Sequence, residues 1–591
     1  MCAGLISDSG LYGVFALDGA ALARDSFEMF APSAPGVATQ WAGGAVVQAV
    51  DHGHADTVQC LETEGDILAL VGHLDEAEAL AKTLGLARST PLPHLLRAAV
   101  EHWGDDTPTH VLGEWSFVWW HHHSRHATLL SALNLRDHIF YAVYDGKLAV
   151  APNVLWFERL GWVDTRIDEL GFCGEIGRAS VRAALQHRSL IRGARKLLPG
   201  TCVEVRAGDV RVGAQAQLPD IAGWSGGFDD AIAETDAVLR ALFRQYLARE
   251  GDIAITLSGG LDSSLVALYA AQERRVGQRI ICLTSVAPPG SGLQDESRLA
   301  KSVADHLGLP IDYVFPEESA SVYRPAIHHW TAASAPACAP RHYLYDAIVD
   351  AAARHGATAL IEGSMGEMTL SYPFPLQPPP RTLMSTLRAV RAAVRRRPPE
   401  DSWPYCAFHA ALAPGLAAQV PDDLKTAWAN QSAKYDDIDP AQRWGYLQGV
   451  RKLGDMTTQT HVADIRVMMP FRDLRLLRSS ARFPASFMQH HGILRAPIRA
   501  LMRGHLPEHI INQTKGSAFS PDYMLRIRQQ ADAARARITL FRAANIDQLL
   551  DLNWLASALQ KAETIDVAQA FKIQATMTTA EFLLWHRNKN L

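Results

Sequence analysis

The most constraining feature of the chain is a seven-residue run, Ser258-Gly-Gly-Leu-Asp-Ser-Ser264. It follows an apolar stretch at 253–257 and opens a helical pattern over 263–273. Two adjacent glycines let the backbone turn sharply and approach a ligand closely. Successive N–H groups at a strand-to-helix turn form an anion-binding concavity, reinforced by the helix N-terminus. Ser258, Ser263 and Ser264 add hydroxyl donors, and Asp262 supplies a carboxylate where phosphate-bound magnesium needs an oxygen ligand. No lysine follows the glycines, so this is not the Walker-type loop. The run calls for a nucleotide-phosphate site at the end of a buried strand.

The surroundings suit such a site. After an amphipathic helix over 229–250, apolar strands alternate with helices: strands at 253–257, 279–285, 311–314 and 358–362, helices at 263–273, 295–307 and 342–355. This alternation predicts a parallel, doubly wound sheet. Residues 400–591 read as mostly helical. The first part of the chain differs. Short alternating or apolar runs at 65–72, 115–120, 128–131, 147–151 and 201–205 are separated by turn signals such as Tyr144-Asp-Gly146. With helices near 75–85 and 92–103, they predict a layered α+β domain over 1–212. Gly, Pro and Ser without periodicity mark 213–228 as a linker to a second domain over 229–591, which carries an insertion at about 372–440. Within the insertion, 381–397 is rich in arginine and flanked by prolines. It reads as a solvated surface helix or as a docking site for a partner protein or acidic peptide.

Composition narrows the function classes. A formal charge of −5 gives no electrostatic case for nucleic-acid binding. No apolar run approaches the ~20 residues of a membrane span. Met1-Cys-Ala-Gly4 and Asp8 open the chain without a signal-peptide pattern, and the 7 cysteines are scattered without zinc-site spacing. The expected setting is the cytoplasm. His121-His-His123 and His126 fall at a hairpin and read as a solvated turn with no acid nearby.

Ser258–Ser264 resembles the loop of the PP-loop ATP pyrophosphatases and, more closely, the asparagine synthetase (class B) family. The resemblance extends along the chain. Cys282-Leu-Thr-Ser-Val286 is similar to the adenine-side strand, and Asp295-Glu-Ser-Arg298 to the helix after it. Glu362-Gly-Ser-Met-Gly-Glu367 resembles a Gly-rich turn ending in a metal-binding acid, here Glu367. Asp464-Ile-Arg466 with Pro470-Phe-Arg-Asp473 resembles the family's E-x-R-x-P-F-x-D, and Asn512-Gln-Thr-Lys515 the segment with its catalytic lysine. The resemblance implies an N-terminal Ntn glutaminase-like domain of αββα layers and a C-terminal ATP pyrophosphatase domain with extra helices. It assigns ATP and pyrophosphate binding to Leu257, Ser258, Gly259, Gly260, Leu261, Asp262, Ser263, Ser264, Val286, Glu362 and Gly363. Magnesium falls to Asp262 and Glu367, and catalysis to Lys515, Asp464 and Glu367.

The N-terminal domain departs from that pattern. Cys2 fills the nucleophile position of glutamine-dependent members. The family's N-G-E triplet, however, is replaced by Val71-Gly-His73. Valine offers no side-chain donor, and losing one oxyanion donor typically costs ~10²–10³ in rate. The Arg-Gly-Pro-Asp segment is absent, and the amine-binding Asp is missing around Thr90-Pro-Leu-Pro93. The expectation is a glutaminase fold with an impaired glutaminase site, so another amine must attack the acyl-adenylate. Among relatives of this kind the chain most resembles lasso peptide cyclases. Those enzymes activate an Asp or Glu side chain of a leader-free peptide and close a macrolactam with its N-terminal amine. The chain length of 591, the insertion, and Ser364 near the position of the β-lactam synthetases' dyad tyrosine favour this reading. A leader peptidase and a leader-binding protein are the implied partners. A β-lactam synthetase-like ligase, a glutamine-hydrolysing asparagine synthetase and a non-catalytic scaffold are the alternatives.

Overall fold

The computed structural model describes residues 10–20, 22, 37–42, 44–50, 58–133, 139–216, 223–333, 335–336, 339–371, 403, 407–426, 465–513 and 520–588. Cys2, the arginine-rich segment 381–397, Asp464 and Lys515 lie outside the described residues.

The first part is built on two six-stranded antiparallel sheets. Its strands are β1 (Gly10–Ala16), β2 (Val37–Ala42), β3 (Ala45–Val50), β4 (Val58–Thr63), β5 (Asp66–Leu74), β6 (Gly113–His121), β7 (His126–Ser131), β8 (Ile139–Tyr144), β9 (Lys147–Ala151), β10 (Arg195–Leu197), β11 (Cys202–Arg206) and β12 (Asp209–Val212). They are ordered β10-β8-β9-β1-β3-β2 and β12-β11-β7-β6-β5-β4. Alternation sorts the side chains. Ile67, Ala69 and Val71 of β5 enter a core between the sheets with Leu11, Phe15, Val118 and Trp120. Leu68 and Leu70 turn outward, with Phe117 and Trp119, onto α1 (Ala77–Thr83) and α2 (Leu92–Trp103). Tyr12 and Val14 face the opposite way, onto Phe172 and Ile176 of α3 (Glu169–Ile176) and Val181 of α4 (Ala179–Leu185). The outcome is the layered αββα arrangement.

The second part begins with α5 (Phe228–Arg249) and a five-stranded sheet. The elements run β13 (Asp252–Thr256), α6 (Leu261–Glu273), β14 (Ile280–Ser285), α7 (Ser297–Leu307), β15 (Ile311–Val314), α8 (Ile327–Ala333), α9 (His342–Arg354), β16 (Ala357–Ile361) and β17 (Arg466–Met468). The order is β15-β14-β13-β16-β17, with every pair parallel. Both faces are covered, so the strands are apolar throughout. Ile253 and Ile255 pack towards Leu242, Phe243 and Leu265, whereas Ala254, Leu283 and Leu360 pack towards Ile348 and Ala352 of α9. The strand order reverses at β13, and α/β sheets bind ligands outside the carboxyl ends of the strands at such a switch point.

Beyond residue 400 the described residues are mostly helical, as expected, with β17 completing the sheet ahead of α10 (Leu474–Ala481). A three-residue strand buried between layers carries no periodicity to detect. One expectation needs correction: the histidine hairpin is packed, and an acid lies beside it. The His121 ring stacks on Trp119 at 3.7 Å and on His126 at 3.6 Å, and the His122 N–H donates to Asp66 Oδ1 at 2.7 Å. Burial pulls the His121 pKa down to about 3. The chain ends on the long helix α11 (Val567–Asn588). Among the described residues, no helix is long and apolar enough to cross a membrane.

Candidate active site

The loop between β13 and α6 is held by its own serines. Ser263 Oγ accepts from the Ser258 N–H at 3.2 Å and lies 3.0 Å from Ser258 Oγ, which accepts from the Gly260 N–H at 3.1 Å. Gly260 caps α6, so the helix starts at Leu261, two residues earlier than its apolar pattern suggested. Gly259 needs to be glycine. Its φ is +77°, and a Cβ there would come within 2.6 Å of the Leu299 carbonyl carbon.

The loop after β16 lies against the loop after β13. A Cβ on Gly363 would approach the Ser263 nitrogen to 2.8 Å, and one on Gly366 would overlap Asp262 Oδ1 at 2.0 Å. Asp262 accepts a short hydrogen bond from Ser371 Oγ. Desolvation first, then the negative charge of Glu367, raises its pKa to about 6 despite that bond. Two carboxylates whose charges act on one another, with the Arg495 charge also acting on Asp262, suit a divalent cation, and Gly363 and Gly366 keep the turn close to the loop. Ser264 Oγ is buried without a hydrogen-bond partner among the described residues. Glu367 itself is exposed.

Glu362 stands at the root of the same turn, only 4% exposed, and its N–H donates to the Met468 carbonyl on β17 at 3.0 Å. Tyr345 of α9 donates from its hydroxyl to Glu362 Oε2 at 3.4 Å. Burial pushes the Glu362 pKa up to about 7, against hydrogen bonds from Tyr345 and Ser364 and the nearby Arg472 charge. The Glu362 charge in turn raises the Tyr345 phenol. A carboxylate poised near neutrality beside a nucleotide loop can accept a proton. Tyr345 and Ser371 were not among the residues singled out from sequence, and Arg472 stood there only as an unassigned position of the Pro470–Asp473 motif. Tyr345 sits in an amphipathic helix, where a tyrosine reads as core.

Val286 is buried at the end of β14, its N–H bonded to the Val314 carbonyl at 3.2 Å. Gln513 Nε2 donates to the Gly259 carbonyl at 2.6 Å, and Arg499 Nη2 holds the Gln513 carbonyl at 2.8 Å. The segment leading to Lys515 is therefore fixed to the loop as far as Gln513. Arg466 is ion-paired with the buried Glu250 at 3.0 Å, and Asp473 caps α10 and pairs with Arg475 at 2.8 Å.

At the end of β5 the Val71 side chain is 1% exposed and lies in the core between the sheets. His73 Nε2 stands 3.7 Å from Asp75 Oδ1. Asp75 pairs across to the second part, with Arg249 at 2.9 Å and Arg475 at 3.4 Å, and accepts from Gln245 Nε2 at 2.6 Å.

Comparison with known proteins bears on this site. The chain is 27% identical over 260 residues to the amidase chyE of Penicillium rubens, covering 39% of this chain and 36% of that protein. It is 26% identical over 247 residues to the amidase chry2 of Gibberella zeae, covering 38% and 35%. The chain thus spans about a third of the length of these relatives. Among solved structures it overlaps glutamine phosphoribosylpyrophosphate amidotransferase from B. subtilis, complexed with ADP and GMP, with TM-score 0.22 and 11% identity over 62% of this chain and 77% of that one. It overlaps an allosteric regulatory enzyme of purine biosynthesis with TM-score 0.21 and 12% identity over 48% and 69%. Overlaps this loose carry no weight; the fold rests on the strand orders above. The sequence model of asparagine synthase matches residues 234–587, more than half of the chain and all of the parallel sheet with its phosphate loop, and the chain belongs to the asparagine synthase family.

Proposed function

We propose that this chain is an ATP-dependent, AMP-forming amide ligase that closes a macrolactam ring in a leader-free peptide. The family is one of ATP-dependent, AMP-forming carbon–nitrogen ligases. The observation that carries the ligase reading is the meeting, at the switch point of one sheet, of the Ser258–Ser264 loop, Glu362 and the segment ending at Gln513. The choice of a peptide amine over glutamine-derived ammonia rests on Val71, whose buried side chain offers no hydrogen bond where the family has a donor.

In this reading the backbone N–H groups of Ser258–Ser264 bind the β- and γ-phosphates of ATP. Asp262 and Glu367 would hold magnesium, which supplies charge neutralisation on those phosphates. An Asp or Glu side-chain carboxylate of the peptide attacks the α-phosphorus, and pyrophosphate leaves onto the loop. The peptide's N-terminal amine then attacks the acyl carbon. Its proton passes to Glu362, oriented by Tyr345, as the bond to the AMP oxygen breaks. Lys515 stabilises the charge that develops on the tetrahedral centre. Holding amine and acyl group together supplies much of the acceleration, about 7–11 kcal/mol for well-oriented pairs. Asp464 acts with Lys515. The setting is cytoplasmic, with a leader peptidase and a leader-binding protein as partners.

The test is mass spectrometry of the leader-free core peptide after incubation with enzyme, ATP and magnesium. Loss of one water from the peptide with stoichiometric AMP supports the reading. A linear peptide, with AMP formed from small β-amino acids or aspartate, moves the chain to a small-molecule ligase. Glutamine hydrolysis that disappears in Cys2→Ala moves it to a glutamine-dependent synthetase.

A further inference from the structure

A second constellation of ligating side chains lies where α8 meets α9. His328 and His329 are consecutive on α8, and both reach one carboxylate of α9: each Nε2 is 2.9 Å from Asp346 Oδ1. Consecutive helical residues point about 100° apart, so two rings converge on one atom only when both rotamers are held. They are held here. The two rings lie 4.2 Å apart, and the inner one, His329, packs edge-on against the buried His342 at 5.5 Å. His342 is fixed in turn, its Nε2 3.2 Å from the Val322 carbonyl. The His329 side chain is 3% exposed, whereas His328 is 44% and Asp346 29% exposed, so the group is walled on one side and open on the other.

We propose that His328 Nε2, His329 Nε2 and Asp346 Oδ1 form a three-ligand site for a zinc-class divalent transition-metal ion, with the remaining position open to solvent. The three atoms lie within 4.8 Å of one another. Ligand atoms around tetrahedral zinc are about 3.3 Å apart, from bonds of about 2.0–2.1 Å. Each Nε2–Oδ1 separation, 2.9 Å, therefore needs to open by only a few tenths of an ångström to admit the ion. Two imidazoles and a carboxylate suit zinc, cobalt or nickel better than magnesium, which prefers all-oxygen shells. The site would tie α8 to the first turns of α9, one residue from Tyr345, whose hydroxyl reaches Glu362. Metal at this point would stiffen the support of that pair without entering the reaction.

The experiment is a cobalt(II) titration of the full, chelator-stripped chain, read by visible absorption, with zinc displacement and melting temperature in parallel. It is run in an Asp262→Asn background to remove the other cation site. The expected result is one equivalent of cobalt with a tetrahedral-type band, displaced by zinc, and a zinc-dependent rise in melting temperature. His328→Ala and Asp346→Asn should each weaken binding tenfold or more. His328 is exposed, so its removal leaves the metal-free melting temperature unchanged. Absence of the band from the parent chain, or binding equally tight in His328→Ala, overturns the proposal. The parent titration decides even if the Asp346 variant fails to fold.

Discussion

Gln513 spans two segments of the chain, donating from Nε2 to the Gly259 carbonyl at 2.6 Å and so tying the approach to Lys515 onto the phosphate loop. Lys515 follows this anchor by two residues in the sequence, and the proposed mechanism has it stabilise charge near the α-phosphate. Lys515→Ala should lower the rate of product formation by about 10²–10³ while ATP still raises the melting temperature. Gln513→Ala should cost less, because it loosens the anchor and leaves the cation. Equal turnover in Lys515→Ala and the parent would remove the lysine from the mechanism.

Gly366 tests the cation site. An added methyl would overlap Asp262 Oδ1 at 2.0 Å and its Cγ at 2.5 Å. The carboxylate is a side chain and can swing away, so the fold should survive while the carboxylate leaves its position. Gly366→Ala is expected to melt within a few degrees of the parent without nucleotide and to lose most of the stabilisation by magnesium-ATP. Gly259→Ala should differ, because its methyl meets the Leu299 backbone at a φ of +77° and destabilises the apo chain itself. If Gly366→Ala kept the full magnesium-ATP shift, Asp262 would not hold the cation.

Glu362 predicts a pH profile. Its pKa is raised by burial to about 7. Below that value the group is protonated and cannot accept a proton, so the amine-attack step should rise with pH through about 7 and then level. The peptide amine itself titrates near 7.7–8.0, and the two limbs have to be separated. Pyrophosphate exchange measures adenylation without the amine. Glu362→Gln should leave that exchange largely intact and abolish ring closure, and Tyr345→Phe should shift the apparent pKa of closure. A loss of exchange and closure in equal measure would assign Glu362 to nucleotide binding alone.

These tests divide along what the chain discloses before folding. The run Ser258–Ser264 and the strand–helix alternation around it announce a switch-point site, because each element there repeats its own pattern over enough residues. The run 65–72 marked β5 as a strand, but Ile67-Leu-Ala-Leu-Val71 is apolar throughout, so which residues face the core between the sheets was not legible from it. Tyr345 and Ser371 were not legible either, because they reach the site through tertiary contacts that leave no local spacing, and Arg472 and Gln513 lay inside quoted motifs that gave no sign of their own contacts. His328 and His329 gave no signal for a similar reason: their shared ligand, Asp346, comes from another helix. Strand β17 was hidden by its length.

Cys2 tests whether the N-terminal half still handles glutamine. The donor position is taken by Val71, packed between the sheets. Cys2→Ala should form ring product at the parental rate with ATP and peptide, and neither protein should release glutamate from glutamine above background. A rate that falls with Cys2→Ala and recovers with ammonium would restore a glutaminase role.

Asp75 joins the two parts of the molecule. It sits at the end of β5, 6% exposed, and meets Arg249 of α5 and Arg475 of α10. Removing one partner of a buried ion pair leaves the other charge uncompensated and typically costs about 3–5 kcal/mol. Arg475 keeps Asp473 as a second partner, whereas the Arg249–Asp75 contact would be lost outright. Asp75→Ala should therefore lower the urea midpoint markedly, and Asp75→Asn less, since an amide still accepts hydrogen bonds from Gln245 and Arg249. The shape of the transition carries the mechanism. If Asp75 joins two separately cored parts, the parent is expected to unfold in one step and Asp75→Ala in two, with the parallel-sheet part, followed by magnesium-ATP protection, melting apart from the αββα layers. A lower but still single transition would mean that the apolar cluster shared by Tyr12, Phe172, Leu360 and Phe582 keeps the parts in register without the ion pairs.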